Sequence, residues 1–344
     1  MHDTLMAKEA RSAPEKVALQ LKENEKRWYE ICQYLKSDQI NFAATVARGS
    51  SDHAATFAKY LLETQLGLIT ASIAPSVYTA YQSQTKTNNS LFIGISQSGK
   101  SPDLVQSFES VRQQATTIAL VNVVDSPLAQ AAKFVVPLHA ADEKAVAATK
   151  SYITSLTALA QFIALYTNDD LLIRALADLP DYLDKAVQVD WSYAIDAFLK
   201  AQDAYVIARG YGYAIAQEAA LKLKETSSLH AEPFSSAEVL HGPFALVKKA
   251  FPTLVFAQND ATARRVIELA QRMSAMGADV MLAMPGNINT AQVSYHLPMP
   301  ASLHPILDPI ICIQSFYMMA AKLSLARGLN PDQPDNLNKV TQTV

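Results

Sequence analysis

Apolar and polar positions along this chain recur in two lengths. Short runs of branched and aliphatic residues, such as Leu91-Phe-Ile-Gly-Ile95, predict buried strands. Helix-length amphipathic segments separate them, an order that predicts βαβ units around a parallel sheet. Thr45-Val-Ala-Arg-Gly49 reads as a strand end that opens a helix over Asp52 to Gly67. Tyr205-Val-Ile-Ala-Arg-Gly210 reads as another, opening a helix over Tyr213 to Glu225. From Gly49 to the next strand end, Ser96, is 47 residues, and from Gly210 to its counterpart, Gln258, is 48. The third strands, around Leu120 and Leu282, each follow 24 residues later. Two matched offsets linking three strand positions predict two copies of one α/β unit.

The expected fold is therefore α/β: two tandem doubly wound parallel-sheet subdomains of flavodoxin-like type with helices on both faces. The expected divisions are a helical arm over 1–29, a first domain over 30–175, a second over 190–328 and a tail over 329–344. A helix break is expected at Pro180, within Asp178-Leu-Pro-Asp181. The apolar run from Ile306 to Leu325 is interrupted by Asp308, Pro309, Gln314 and Lys322, which predicts a buried helix rather than a membrane span.

Chemistry concentrates after Ile95. Ser96, Gln97, Ser98, Gly99 and Ser101 crowd together before a helix whose periodicity starts at Leu104. Free backbone N–H groups at a helix start and serine hydroxyls can aim donors at one spot, which suits a small phosphate monoester. The same residues also make an ordinary N-capped turn. The patterns of nucleoside triphosphate and dinucleotide loops are absent.

Composition narrows the classes. The chain has 344 residues, half of them apolar, with a formal net charge of −3. That balance argues against a nucleic-acid surface. Cys32 and Cys312 lie far apart without metal-ligand spacing and read as cytosolic thiols. The first sixteen residues have no apolar core of a signal peptide, so a cytoplasmic location is expected. Neither a metal nor another cofactor is expected. His139, His230, His296 and His304 are read as structural.

Five motifs carry a resemblance: Ser96-Gln-Ser-Gly99, Val146-Ala-Ala-Thr-Lys150, Ala220-Leu-Lys-Leu-Lys-Glu225, Glu238-Val-Leu-His-Gly-Pro243 and Asp332-Gln-Pro-Asp-Asn-Leu-Asn-Lys339. In this order they resemble the double sugar-isomerase-domain (SIS) proteins of the phosphosugar isomerase superfamily. The chain is similar to the isomerase half of glucosamine-fructose-6-phosphate aminotransferase and to sugar-isomerase-type glucosamine-6-phosphate deaminases. The resemblance implies that Ser96, Gln97, Ser98 and Ser101 hold the phosphate, with Ser51 of Arg48-Gly-Ser-Ser51 nearby. It implies that backbone at Val146 and Ala148 meets the sugar hydroxyls, and that Glu225 moves a proton between carbons 1 and 2. His241 would assist ring opening, Lys222 would position Glu225, and Lys339 would reach the first carbons. A homodimer with a shared active site is implied, His241 coming from the second subunit. Two departures add positive charge near the phosphate end: Lys100 replaces a glutamate and Arg48 a cysteine.

Residue chemistry fits these roles without requiring them. A carboxylate held off water can serve as a carbon-acid base if its pKa rises towards neutrality. A glutamate three residues from Lys222 can equally be a solvated ion-pair partner. The chain reaches the first strand-helix unit within about 40 residues of Met1, which leaves no room for a glutaminase domain ahead of it. The expected activity is accordingly conversion of glucosamine 6-phosphate and water to fructose 6-phosphate and ammonia. The alternatives are galactosamine 6-phosphate as substrate, a phosphosugar isomerase or deglycase, and a non-catalytic sugar-phosphate sensor. The expected partner is a small amino-sugar phosphate, with neither nucleic acid nor membrane. The N-terminal arm is too short and too weakly basic for the helix-turn-helix that sensors carry.

Overall fold

The computed structural model describes residues 3–286 and 293–337. The chain opens with helices α1 (Leu5–Arg11) and α2 (Ala13–Ser37). Thereafter strands and helices alternate, and the residues separate into two compact bodies.

The first body comprises residues 15–143 and 150–177. Its sheet contains β1 (Phe42–Val46), β2 (Thr70–Ser72), β3 (Ser90–Ser96), β4 (Thr116–Val121) and β5 (Phe134–Pro137), all parallel, in the order β2-β1-β3-β4-β5. Every residue of β3 and β4 is buried, the burial expected of a parallel sheet covered on both faces. The covering helices are α3 (Ser50–Gln65), α4 (Ser76–Thr79), α5 (Pro102–Val111), α6 (Pro127–Ala131) and α7 (Lys150–Thr167). Phe92 on β3 meets Phe108 on α5 edge to face at 5.5 Å, within an apolar cluster that also holds Leu104, Val121 and Leu128.

The second body comprises residues 3–14, 144–149 and 178–337. Here β6 (Asp203–Ala208), β7 (His230–Ser235), β8 (Pro252–Phe256), β9 (Asp279–Ala283) and β10 (Tyr295–Leu297) form a second parallel sheet in the order β10-β9-β8-β6-β7. Its helices include α9 (Ser192–Phe198), α10 (Gly212–Ser227), α11 (Ala263–Ala275) and α12 (Asp308–Ala326). The duplicated α/β unit expected from the matched offsets is therefore present as two five-stranded sheets.

Two local expectations fail. Helix α8 (Asp170–Val187) runs unbroken through Pro180. Proline removes one hydrogen bond from a helix, but Leu172, Leu176, Leu179, Leu183 and Ala186 are buried at spacings of three and four, and that face sustains the helix. Strand β8 ends at Phe256 rather than Gln258, because its last ladder bond runs from Ala257 N–H to the carbonyl of Ala283, where β9 stops. Helix α12 is long and apolar enough to cross a membrane, yet 83% of that stretch is buried inside the protein. It is the core helix that the interrupted apolar run predicts.

Candidate functional site

In open α/β sheets, ligands bind beyond the carboxyl ends of the strands, where the strand order reverses. In the first sheet this point lies between β1 and β3. Strand β3 ends at Ser96, and the loop to α5 turns tightly. Ser96 Oγ accepts from Gly99 N–H at 3.0 Å, and Ser98 Oγ accepts from Lys100 N–H at 3.3 Å. Gly99 has φ +62°, and a Cβ there would sit 2.0 Å from Ser126 Oγ, so the loop needs glycine on both counts. Ser126 is 1% exposed, and its hydroxyl has no hydrogen-bond partner among the described residues. It is a polar group beside this loop, at the start of α6, that sequence reasoning missed. Ser101 is the N-cap residue of α5, and Gln97 and Ser98 are half-buried. At the end of the neighbouring strand β1, Gly49 precedes α3, and Ser51 lies half-buried in that helix's first turn.

Arg48 does not stand as a free cation at this end of the sheet. Its Nε donates to Asp103 Oδ2 at 2.9 Å, and Asp103 is a buried residue in the first turn of α5. The extra charge expected from Arg48 is thus balanced locally, whereas Lys100 is exposed. Burial pushes the Asp52 carboxyl in the first turn of α3 above its ordinary value, an effect that His53 and Arg48 partly oppose.

The second body gathers a different chemistry on α10. Glu218, Lys222 and Glu225 fall at helical spacings of four and three, so all three share one face. Lys222 is 1% exposed and Glu218 fully buried, with Nζ 3.5 Å from Glu218 Oε1. Lys222 Nζ donates to Glu225 Oε2 at 2.5 Å, while Glu225 keeps 19% of its side-chain surface. Tyr317 of α12 donates its hydroxyl to Glu218 at 3.1 Å. The ammonium is therefore clamped between a buried carboxylate and one that still reaches the surface. Glu225 lines a pocket of about 250 Å³, closed opposite by Leu329, Asn330, Gln333, Pro334 and Leu337.

That opposing wall is tied down. Asp332 accepts from the backbone N–H groups of Leu5 and Met6, both at 2.8 Å, and so caps α1. The carbonyl of Asp332 accepts from Val146 N–H at 3.4 Å. Glu9 accepts from the N–H groups of Lys144 and Ala145. Val146 and Ala148 are half-buried, alternating with buried Ala145 and Ala147. The structure thus joins Val146, α1 and the segment beside Glu225 in one body.

Other expected residues are not brought to this cluster. His241 is exposed beyond the short turn Glu238–Leu240, with no side-chain hydrogen bond to Glu225 or Lys222 among the described residues. Lys339 lies outside the described residues. Glu218 and Tyr317 were missed. The spacing of Glu218 from Lys222 could have signalled it, but nothing local marks Tyr317.

The model of the SIS domain family matches residues 38–165 and 197–323. The glutamine–fructose-6-phosphate aminotransferase (isomerizing) of Methanothermobacter thermautotrophicus is 30% identical over 345 residues, covering 98% of this chain and 57% of that protein. The chain spans about half the length of the curated relatives it matches. Among solved structures, a provisionally assigned phosphosugar isomerase from Silicibacter pomeroyi is 38% identical, with a TM-score of 0.90 over 96% of this chain and 100% of that one. The C-terminal domain of glucosamine-fructose-6-phosphate aminotransferase from Francisella tularensis is 26% identical, with a TM-score of 0.85 over 97% of this chain and 98% of that one.

Proposed function

The chain belongs to the SIS-domain family, and from that membership we propose that it is an amino-sugar-phosphate deaminase converting glucosamine 6-phosphate and water to fructose 6-phosphate and ammonia. The coarser activity, isomerisation between carbons 1 and 2 of a sugar phosphate, is supported by the relatives named as isomerizing enzymes. The observation that carries the reading is the Glu218–Lys222–Glu225 cluster: a carboxylate at the edge of a pocket, oriented by a buried ammonium.

In this reading Ser96, Gln97, Ser98, Ser101 and Ser51 take the phosphate. Val146 and Ala148 offer backbone groups to the sugar hydroxyls. Glu225 removes the proton on carbon 2 of the open aldose and returns it to carbon 1. A proton also passes from the carbon-2 amine to the carbon-1 oxygen, so the aldehyde becomes a hydroxymethyl group and carbon 2 becomes an imine. Water adds to the imine and ammonia leaves, giving the ketone. Lys222 holds Glu225 in line for both transfers. His241 assists ring opening in the site of a second copy, and Lys339, outside the described residues, is the residue that the resemblance assigns to the first carbons. The releasing direction takes water as its second reactant and needs no ammonia donor.

The test is ammonia release from glucosamine 6-phosphate, with galactosamine 6-phosphate in parallel and without glutamine. Stoichiometric fructose 6-phosphate, abolished by Glu225→Gln with ligand binding retained, is the expected result. Release from the galactosamine substrate alone would change the substrate and keep the chemistry. Full turnover by Glu225→Gln would remove Glu225 as the base.

A further inference from the structure

Each sheet has one point of strand-order reversal, and the proposed function uses only that of the first. In the second sheet the reversal lies between β6 and β8, whose carboxyl ends lead into Arg209-Gly210 and Gln258-Asn259-Asp260. The sixteen-residue helix α10 starts here at Gly212 and brings the positive end of its dipole, while the Gly212 and Tyr213 N–H groups already donate to the carbonyls of Arg209 and Gly210 at 3.2 and 3.0 Å.

Gln258 supplies an independent observation. It is 1% exposed, and among the described residues neither Oε1 nor Nε2 has a hydrogen-bond partner. The amide is aimed at the helix start: a Cβ on Gly212 would lie 2.2 Å from Oε1 and 2.4 Å from Nε2. Buried amides are normally satisfied, because leaving them bare is unfavourable. Arg209 adds a half-buried guanidinium. Its counterpart Arg48 is paired with Asp103, whereas no carboxylate lies within ion-pair distance of Arg209 among the described residues. Asp260 is the nearby opposing charge, but its Oδ1 is already held by Thr262 N–H at 2.7 Å and Thr262 Oγ1 at 2.6 Å.

We propose that this crevice is a second oxyanion site, taking the phosphoryl group of a small phosphorylated metabolite against the start of α10, Arg209 and the Gln258 amide. Nε2 donates to a phosphoryl oxygen, and Oε1 accepts from a phosphate or neighbouring hydroxyl. The crevice is built from β6, β8 and α10 of one body, so the inference holds whether or not the first crevice binds phosphate.

The test is calorimetric titration of the full chain with inorganic phosphate, using Ser96→Ala/Ser98→Ala to disable the first crevice. Phosphate binding that persists in that double variant, and weakens at least tenfold on adding Arg209→Gln, is the expected result. Gln258→Glu, which keeps the side chain's shape and sets a carboxylate against the anion, should weaken it similarly if Arg209→Gln fails to fold. Binding that disappears with the two serines overturns the proposal, as does residual binding indifferent to both Arg209→Gln and Gln258→Glu. Binding lost with Arg209→Gln but untouched by the serine changes would uphold this site and refute the first crevice as the phosphate loop.

Discussion

Helices α3 and α10 open the two copies of one α/β unit, and both are sixteen residues long. Each carries a glutamate at its fourteenth position, Glu63 in α3 and Glu225 in α10, and each glutamate pairs with a lysine on its own helix. In α3, Lys59 and Glu63 are 3.1 Å apart with side chains 43% and 35% exposed. In α10, Lys222 is 1% exposed and shared between Glu218 and Glu225. One backbone element thus carries an ordinary surface pair in one copy and a water-excluded charge cluster in the other. Both helices pack against a buried apolar helix, α3 on α7 and α10 on α12, so the difference lies in where the charges sit: Glu218 and Lys222 are buried, with Tyr317 of α12 bonded to Glu218, whereas Lys59 and Glu63 stay partly exposed. Position along a helix does not make a carboxylate a base; the burial of its charged partner decides how much water reaches the pair.

The comparison breaks most visibly in catalysis. Glu225→Gln should lower turnover by about 10²- to 10⁴-fold, the usual worth of a positioned general base. Glu63→Gln, at the matching position, should leave turnover within about twofold, because it alters a partly exposed ion pair and a bond from Thr70 N–H, neither of them in the proposed site. Steady-state ammonia release by the two variants measures both. Equal losses would erase the distinction between the helices.

Stability sharpens it next. Lys222→Met leaves Glu218 buried without its cation and should cost about 3–5 kcal/mol, the range for breaking a buried pair. Lys59→Met removes a partly exposed ion-pair partner and a bond to the Thr70 carbonyl, and should cost about 1–2 kcal/mol. Urea unfolding of both variants gives the contrast directly. A near-neutral Lys222→Met would mean that water reaches the cluster.

Much of this was legible in sequence because periodicity reports burial. Strands β3, β4 and β9, helix α12 and the duplicated unit all follow from runs and offsets. What stayed hidden depends on partners far away in the chain. Arg48 and Asp103 are 55 residues apart, and Tyr317 and Glu218 are 99 apart, so no local window joins them. The proline rule failed at Pro180 because one lost hydrogen bond counts for less than a buried apolar face. The glutamate and lysine of α10 were readable as a pair, but their burial was not.

Both crevices depend on glycine, Gly99 in the first and Gly210 and Gly212 in the second. The serine loop depends on Gly99, where alanine meets both a left-handed φ and the Ser126 hydroxyl. Gly99→Ala should cost about 1–3 kcal/mol and loosen phosphate binding, since the loop must open to fit a methyl group. Denaturation midpoints and a phosphate titration check the two effects together. An alanine variant of full stability would mean that Ser126 moves freely aside.

The smallest expected signal compares the bodies as wholes. Each holds one buried cysteine, Cys32 in the first and Cys312 in the second. Burial pushes the Cys32 thiol up to about 12, and raises Cys312 well above its ordinary value. The thiolate is the reactive form, and with a pKa near 12 only about one thiol in ten thousand is ionised at pH 8. The native protein should therefore react with 5,5′-dithiobis(2-nitrobenzoate) only through opening, at rates far below those of the denatured chain. Opening removes the burial that raises both thiols, so at fixed pH the opened cysteines ionise alike and a difference in their labelling rates reports opening. Cys32 Sγ lies 3.9 Å from the carbonyl of Phe162 on α7, whereas Cys312 sits on the core helix α12. Faster labelling of Cys32 would show that α2 lifts from α7 before the second body opens. Faster labelling of Cys312 would make α12 the weaker element, and would weaken the case that α12 keeps water from the charge cluster on α10.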